Sequence, residues 1–273
     1  YCSFVVILLA YPVGLIGNAI VIFVTAFKMK DNKNKIWFLN LAVADLAFLL
    51  CVPLDAIVFV KEGWIFGLEL CKLNNFLYVC NMFASILIIM ALNIDRALSI
   101  AKPIWHMRFY SENISYWTCT CMWALALALS IPVYIHSGEY KHGGATYCLP
   151  FNTLFLHLFE RDSFMISSLV LTYIVPLCVI LFSNVMVALK VQKSQTVHSS
   201  RLYRIIVMVV LVYFLSWTPV ASSYVVLLVD GVFFLCSLII AYSNCCLNPI
   251  IYVLVGRQVR DALMGFIHNE KKN

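Results

Sequence analysis

The sequence predicts an all-α membrane protein: seven helices packed as a bundle, with a short amphipathic eighth helix. Three observations carry this reading. Of the 273 residues, 63% are hydrophobic and only 12% charged, with a mean hydropathy of +0.92, against roughly 45–50% apolar and 25% charged in soluble domains. Seven windows, about 3–27, 36–60, 71–101, 115–135, 163–190, 203–229 and 232–255, each hold the stretch of about 20 apolar residues that a helix needs to cross hydrocarbon. The basic residues are also segregated. Of 19 lysines and arginines, only Lys61, Lys72, Lys141 and Arg161 fall on one side of the predicted membrane. The positive-inside rule then places the N-terminus outside and the C-terminus in the cytoplasm. The apolar runs are continuous, which excludes the ten-residue alternation of a β-barrel. The net charge of +6 follows from topology and does not point to nucleic acid; its second use is to bind anionic lipid or an acidic partner.

Span one is too long for the apolar region of a signal peptide. Its Gly17-Asn18 puts an amide in an apolar helix, where it can hydrogen-bond a neighbouring helix. Span two carries Asp45 near its middle, then Pro53 and Asp55. A buried carboxylate at Asp45 is either protonated or accompanied by a cation. Pro53 can kink the helix and turn Asp55 toward an outer cavity. In the loop that follows, Trp64 and Phe66 are expected to pack beneath the mouth of the bundle.

Span three holds Asn75, Asn81, Ser85, Asn93, Asp95 and Arg96. An ionised side chain at the bilayer centre costs from a few to over about ten kcal/mol, so this helix belongs in the middle of the bundle. Pro103 ends it. Span four has Trp123 and Pro132, and the Asn113-Ile114-Ser115 sequon before it falls on the cytoplasmic side, where it is not glycosylated. The outer loop from Ser137 to Asp162 is the longest connection, long enough for a hairpin that contacts ligand. Spans five, six and seven carry Pro176, Trp217-Thr218-Pro219 and Asn248-Pro249-Ile250-Ile251-Tyr252. Prolines there leave carbonyls without partners and bend the helices, so the inner half can move. Only 30 residues separate Pro219 from Pro249, so the connection at Asp230-Gly231 is either a minimal turn or a segment from which residues are missing. The run 257–268 is amphipathic and suited to the inner membrane surface.

Eleven cysteines do not make a secreted disulfide scaffold here, because most lie in apolar spans. Cys51, Cys80, Cys119, Cys121, Cys178, Cys245 and Cys246 read as small buried hydrophobes. Cys71, at the outer end of span three, and Cys148, in the outer loop, share the oxidising side and are expected to pair. Cys2 and Cys236, also near the outer face, can bridge the first and seventh spans where the geometry of their helix ends suits a disulfide.

Gly17-Asn18, Leu41-Ala42-Val43-Ala44-Asp45, Cys71 with Asp95-Arg96, Trp123, Pro176, Trp217-Thr218-Pro219 and Asn248-Pro249-Ile250-Ile251-Tyr252, in this order and one group to a span, resemble the class A (rhodopsin-like) G-protein-coupled receptors over essentially the whole chain. Within the class, VYFLSWTP, CCLNPIIYVLVG and LNLAVADLAFLL are similar to chemokine receptors. NMFAS and KPIW are similar to anaphylatoxin and formyl-peptide chemoattractant receptors. The mixture also fits a viral homologue or an orphan.

The resemblance implies one seven-transmembrane receptor domain over 1–273 in the plasma membrane. It implies an extracellular peptide or chemoattractant ligand, a heterotrimeric G protein of the inhibitory class, arrestin and membrane lipids as partners, and no enzymatic activity. By the same resemblance Asp45, Asn81, Ser85, Asn244 and Asn248 are the sodium-holding positions; oxygen atoms around a carboxylate are what a hard cation takes. Trp217 matches the toggle tryptophan, and Pro176, Ile86 and Tyr213 the core triad. The ligand pocket would comprise Asp55, Tyr78, Asn81, Met82, Ser168, Trp217, Tyr224, Phe234, Leu238 and Tyr242. Tyr78 stands where amine receptors carry aspartate and Tyr242 where opsins carry lysine, so neither ligand class is expected. An aromatic lining with one acid suits a peptide terminus bearing a basic or amide group, anchored by Asp55. In the alternative, Asp55 pairs with Lys61 or solvent; a lipid ligand also suits so apolar a lining.

The activation set would be Asp95, Arg96, Ala97, Pro103, Asn184, Trp217, Asn248, Pro249 and Tyr252, and it departs from the family pattern. Ala97 replaces the motif tyrosine, Asn184 replaces the span-five tyrosine that meets the active arginine, and no acid lies near Ser199. Arg96 would then be restrained by Asp95 alone. Atypical or constitutive signalling follows as an expectation, or, as a second reading, a scavenging receptor with weak coupling. A transporter would need inverted repeats or broken half-helices, and an enzyme a catalytic constellation; the sequence displays neither.

Overall fold

The structure, a computed structural model, describes residues 2–29, 35–150, 166–167, 169–194, 207–208, 210–212, 214–215, 218–219 and 245–250 of the chain. Helix α1, Cys2–Phe23, widens into a π-helical turn at Val24–Lys28. Thr25 is fully buried there because its hydroxyl donates to the Val21 carbonyl at 2.7 Å. That back-bond satisfies the hydroxyl inside an apolar helix.

The second span consists of two helices, α2 (Lys35–Leu49) and α3 (Val52–Lys61). Pro53 explains the break, since its ring cannot donate to the carbonyl four residues back and would clash with it. The backbone answers with two tighter turns, Cys51 N–H donating to Phe48 O and Leu54 N–H to Cys51 O, both at 3.0 Å, before Asp55 N–H resumes the α-helical pattern on Cys51 O at 3.2 Å. Helix α4 runs from Leu68 to Ala101, and a second short helix, α5 (Pro103–Phe109), starts at the proline that closes it. Then come α6 (Glu112–His136), strands β1 (Gly138–His142) and β2 (Ala145–Leu149), and, after a π-helical turn at Val170–Ile174, helix α7 (Val175–Ser194). Among the described residues, Lys35–Lys61, Leu68–Ala101 and Glu112–His136 are long and apolar enough to cross a membrane.

Helix α4 is the pillar. It packs against α2, α6 and α7, and Phe83, Ile86, Ile88, Ile89 and Leu92 lie in the core with Trp37, Phe38 and Leu41 of α2 and Ile180 of α7. Helix α6 reaches it with a different surface. Its buried residues are Ser115, Cys119, Ala126, Ser130 and Val133, a stripe of small side chains that lets two backbones approach closely in a bilayer. Trp117, Leu125, Ile131 and Ile135 cover the opposite, exposed face.

Two of the cysteines expected to be buried are not: Cys121 and Cys178 are exposed on α6 and α7. Cys121 is two residues from buried Cys119, a separation of about 200° around a 3.6-residue helix, so both cannot face the core. Cys2 and Cys236 have no described side-chain surroundings, and the expected helix 257–268 lies outside the described residues.

Candidate functional site

The described polar groups fall into three tiers along the bundle. At the end that the charge distribution leads one to expect outside, called the outer end, a disulfide joins Cys71 of α4 to Cys148 of β2. The strands pair antiparallel from Gly138↔Leu149 to His142↔Ala145. Gly143 and Gly144 turn the chain at φ +59° and +85°, the doubly left-handed geometry of a tight hairpin. The hairpin is fastened to the bundle at several points. Trp64 N–H donates to Thr146 O at 2.6 Å, and the Trp64 indole donates to Gly67 O at 2.9 Å. Asn75 Nδ2, one turn beyond Cys71, donates to Ser137 Oγ at 3.2 Å, and Ser137 Oγ donates to Pro150 O at 3.3 Å. Gly63 is tight against this joint, since a Cβ there would sit 3.2 Å from Thr146 O. Phe66 completes the corner by meeting Trp64 edge-on at 5.2 Å.

Below the hairpin stand the described members of the expected pocket. Tyr78 is half-buried, with its ring 5.2 Å from that of Phe48. Met82 is half-buried against the core and Asn81 is buried. Asp55 lies half-buried in the first turn of α3, engaged with neighbouring groups. Ser168, Trp217, Tyr224, Phe234, Leu238 and Tyr242, and with them Tyr213, lie outside the described residues.

The middle tier is built around Asp45, which is fully buried on α2. Asn248, 203 residues away, donates Nδ2 to Asp45 Oδ2 at 3.0 Å. Asn81 of α4 donates to the carbonyl of Ala44, the residue beside Asp45. Asn18 of α1 donates to both Gly14 O and Cys245 O at 2.9 Å. Four sequence-distant segments thus meet through side-chain amides. Pro249 is buried against α1, where a Cβ on Gly17 would lie 2.9 Å from the proline Cβ. Asp45 Oδ1, Ser85 Oγ and Asn248 Oδ1 are buried and have no hydrogen-bond partner among the described residues. Asn244 lies outside them.

The inner tier holds the charge pair. Arg96 Nη2 lies 3.2 Å from Asp95 Oδ2, with Asp95 only 4% exposed. Among the described residues Asp95 is the ion-pair partner of Arg96, but Asp95 itself has a second partner. His106 of α5 donates Nε2–H to Asp95 Oδ1 at 2.9 Å. The imidazole stacks on Tyr110 at 4.3 Å and 15°, and the Tyr110 hydroxyl bonds Ser115 Oγ of α6. Burial pushes the Tyr110 phenol up to about 12, so it stays protonated at neutral pH. His106 carried no signal in the sequence. It is eleven residues from Asp95, beyond a proline, and only the turn of α5 back along α4 brings the two together.

Ala97 is half-buried beside the pair and Pro103 is exposed at the start of α5. Asn184 donates to Ile180 O at 2.9 Å and reaches Asn93 Oδ1 at 3.4 Å. Trp123 of α6 donates to Asn40 Oδ1 of α2 at 3.0 Å, and Lys35 pairs with Glu112 at 3.6 Å. Tyr252 lies outside the described residues.

Known proteins match this chain closely. Residues 17–252 match the family described as 7 transmembrane receptor (rhodopsin family). The chain is 33% identical over 278 residues to the C3a anaphylatoxin chemotactic receptor of Danio rerio, covering 95% of this chain and 73% of that protein. It is 32% identical over 286 residues to the Homo sapiens C5a anaphylatoxin chemotactic receptor 1, covering 98% and 81%. It is 29% identical over 273 residues to the Mus musculus chemerin-like receptor 1, covering 90% and 73%. Of the two branches whose motifs are mixed in the sequence, these relatives lie on the chemoattractant side. The chain belongs to the rhodopsin family of seven-transmembrane receptors, as a multi-pass plasma-membrane receptor of the chemoattractant branch that works with an extracellular ligand and a G protein and is not an enzyme.

Proposed function

We propose that this protein is a receptor for a chemoattractant peptide, of the kind that the names of its chemerin, C3a and C5a receptor relatives indicate, and that it signals through a heterotrimeric G protein of the inhibitory class. The observation that carries the reading is the fastened outer hairpin standing at the opposite end of the same helix, α4, from the Asp95-Arg96 pair. The N-terminus is extracellular and the C-terminus cytoplasmic, with 257–268 lying as an amphipathic helix on the inner surface. The peptide enters the outer half, where Asp55 anchors a basic or amide-bearing terminus and Tyr78, Met82, Trp217 and Tyr242 supply the aromatic and apolar walls.

A sodium ion fits the middle tier. Asp45 Oδ1, Ser85 Oγ and Asn248 Oδ1 are buried oxygens still lacking a partner among the described residues, and oxygen donors are what a hard cation takes. Asp45, Ser85, Asn248, Asn81 and Asn244 would hold it, and it would supply a compensating charge in the bundle interior. A second reading has one specific support. Asn184 already bonds Ile180 O and approaches Asn93, and Ala97 lacks the motif hydroxyl, which favours a scavenging receptor with weak coupling; arrestin would then be the main inner partner.

The deciding experiment is nucleotide exchange on purified inhibitory G protein by receptor in nanodiscs, challenged with chemerin, C3a and C5a. Acceleration by at least one peptide, lost in Asp55→Ala at undiminished surface expression, is the expected result. Saturable peptide binding with no exchange would move the assignment to the scavenging receptor.

A further inference from the structure

We infer that His106 is a positioning residue for Arg96, and that proton uptake by its imidazole draws the Asp95 carboxylate toward α5 and loosens the hold of that carboxylate on the arginine. The inference rests on the G-protein reading for its consequence and on the inner-tier geometry for its substance. Asp95 is almost fully buried and divides its two oxygens between two elements: Oδ2 lies 3.2 Å from Arg96 on its own helix and Oδ1 2.9 Å from His106 on the next. A neutral imidazole gives Oδ1 an ordinary N–H hydrogen bond. An imidazolium gives it a charge-assisted one, roughly twice as strong, and histidine is the side chain type whose charge changes between about pH 5 and 8. One carboxylate cannot neutralise two cations, and the second cation repels the first across a short distance.

The groups that face the imidazole are few. Among the described residues, α4 presents Asp95 and Arg96 to the ring. Tyr110, the residue that caps α5, stacks on it, and α6 enters through the Ser115 hydroxyl that Tyr110 holds. The Tyr110 phenol, pushed up to about 12 by burial, is neutral throughout. Stacking on Tyr110 fixes the ring plane, so the proton changes the strength of one bond and not the rotamer. Helix α5 follows the imidazole, and it carries Ile104 and Met107, exposed at 83% and 79%, on the same inner end as Arg96. Acidification on the cytoplasmic side thus tightens α5 onto α4 and frees Arg96.

Two measurements on the full receptor in nanodiscs separate the parts. The first needs no G protein: hydrogen–deuterium exchange of residues 103–109 at pH 7.5 and 6.0, corrected for the intrinsic pH dependence of exchange. Protection of α5 is expected to rise about fivefold at pH 6.0. His106→Gln keeps a donor without a titrating proton and is expected to show equal protection at both pH values. The second is agonist-free nucleotide exchange by added G protein, expected to rise about fivefold on the same acidification in the native receptor and to stay flat in His106→Gln. A fixed cation in His106→Arg is expected to give the high rate at both pH values. Thermal unfolding midpoints of the variants establish that they fold. A His106→Gln receptor with the native pH profile of α5 protection overturns the inference. So does a native receptor whose protection does not change. Protection that responds while exchange is absent at both pH values overturns the G-protein reading and upholds the proton-linked pairing of His106 with Asp95.

Discussion

The two ends of helix α4 are secured by different chemistry. At the outer end the main fastenings are covalent or belong to the backbone, namely the Cys71–Cys148 disulfide, the Trp64 N–H to Thr146 O bond and the Gly143-Gly144 turn, with neutral side-chain bonds from Asn75 and Ser137 beside them. At the inner end they are side-chain bonds among ionisable and polar groups, with Arg96, His106 and Asp95 joined to Tyr110 and Ser115. A covalent bond and a backbone ladder hold one shape. Side-chain bonds among polar and ionisable groups are the kind that a two-state rearrangement exchanges. A receptor needs that division, with a mouth that presents a fixed surface and an inner face that can be rearranged.

The sharpest way to break the comparison is to cut the covalent tie. Cys148→Ser removes a bridge between cysteines 77 residues apart, which in the chain-entropy account costs about 4 to 5 kcal/mol. Loss of most surface staining and a large fall in the unfolding midpoint are expected. Gly17→Ala tests whether the bundle between the two ends is as tight as the amide contacts indicate. Its Cβ would fall 2.9 Å from that of Pro249, and overpacking of this kind costs about 1 to 3 kcal/mol. An unchanged midpoint in detergent would refute the packing of α1 on residues 245–250.

At the inner end, Tyr110→Phe deletes the hydroxyl bonded to Ser115 and is expected to cost about 1 kcal/mol. The pH dependence gives a finer signature. The phenol is pushed up to about 12 in the folded protein, against about 10 in an unfolded chain. The unfolded state therefore loses its proton first, and stability is unaffected below pH 10 and falls between pH 10 and 12. That fall should shrink in Tyr110→Phe, as read from midpoints across the alkaline range. The smallest effect belongs to Lys35→Met. Its pair with Glu112 spans 3.6 Å with the two side chains 18% and 38% exposed, and such pairs contribute about 0.2 to 1 kcal/mol. A loss well above that would make the pair part of the inner network rather than a surface contact.

Much of this layout was legible in the sequence because membrane solvation is a local and strict constraint. The apolar windows, the few polar residues within them and the basic asymmetry all express the cost of placing charge or bare backbone in hydrocarbon. The Cys71–Cys148 pairing followed from compartment alone. The second span was read as one helix bent at Pro53, and the proline does mark its break into α2 and α3. Burial around each helix was harder. Cys121 and Cys178 looked like core residues and are exposed, because an apolar side chain facing lipid and one facing protein look the same in composition.

What the sequence determined by itself is the family, the three apolar spans that the described residues contain and the identity of polar groups that are buried. A bilayer judges each segment one at a time, so that information lies in short stretches of chain. Only the tertiary structure decided who those polar groups hold: Asn248 on Asp45, Asn18 on the Cys245 carbonyl, His106 on Asp95. The physical reason is directionality. The hydrophobic term depends on how much surface leaves water and is blind to orientation, whereas a hydrogen bond exists only within about 3 Å and a narrow angle, a relation that packing sets between residues 11 to 227 positions apart.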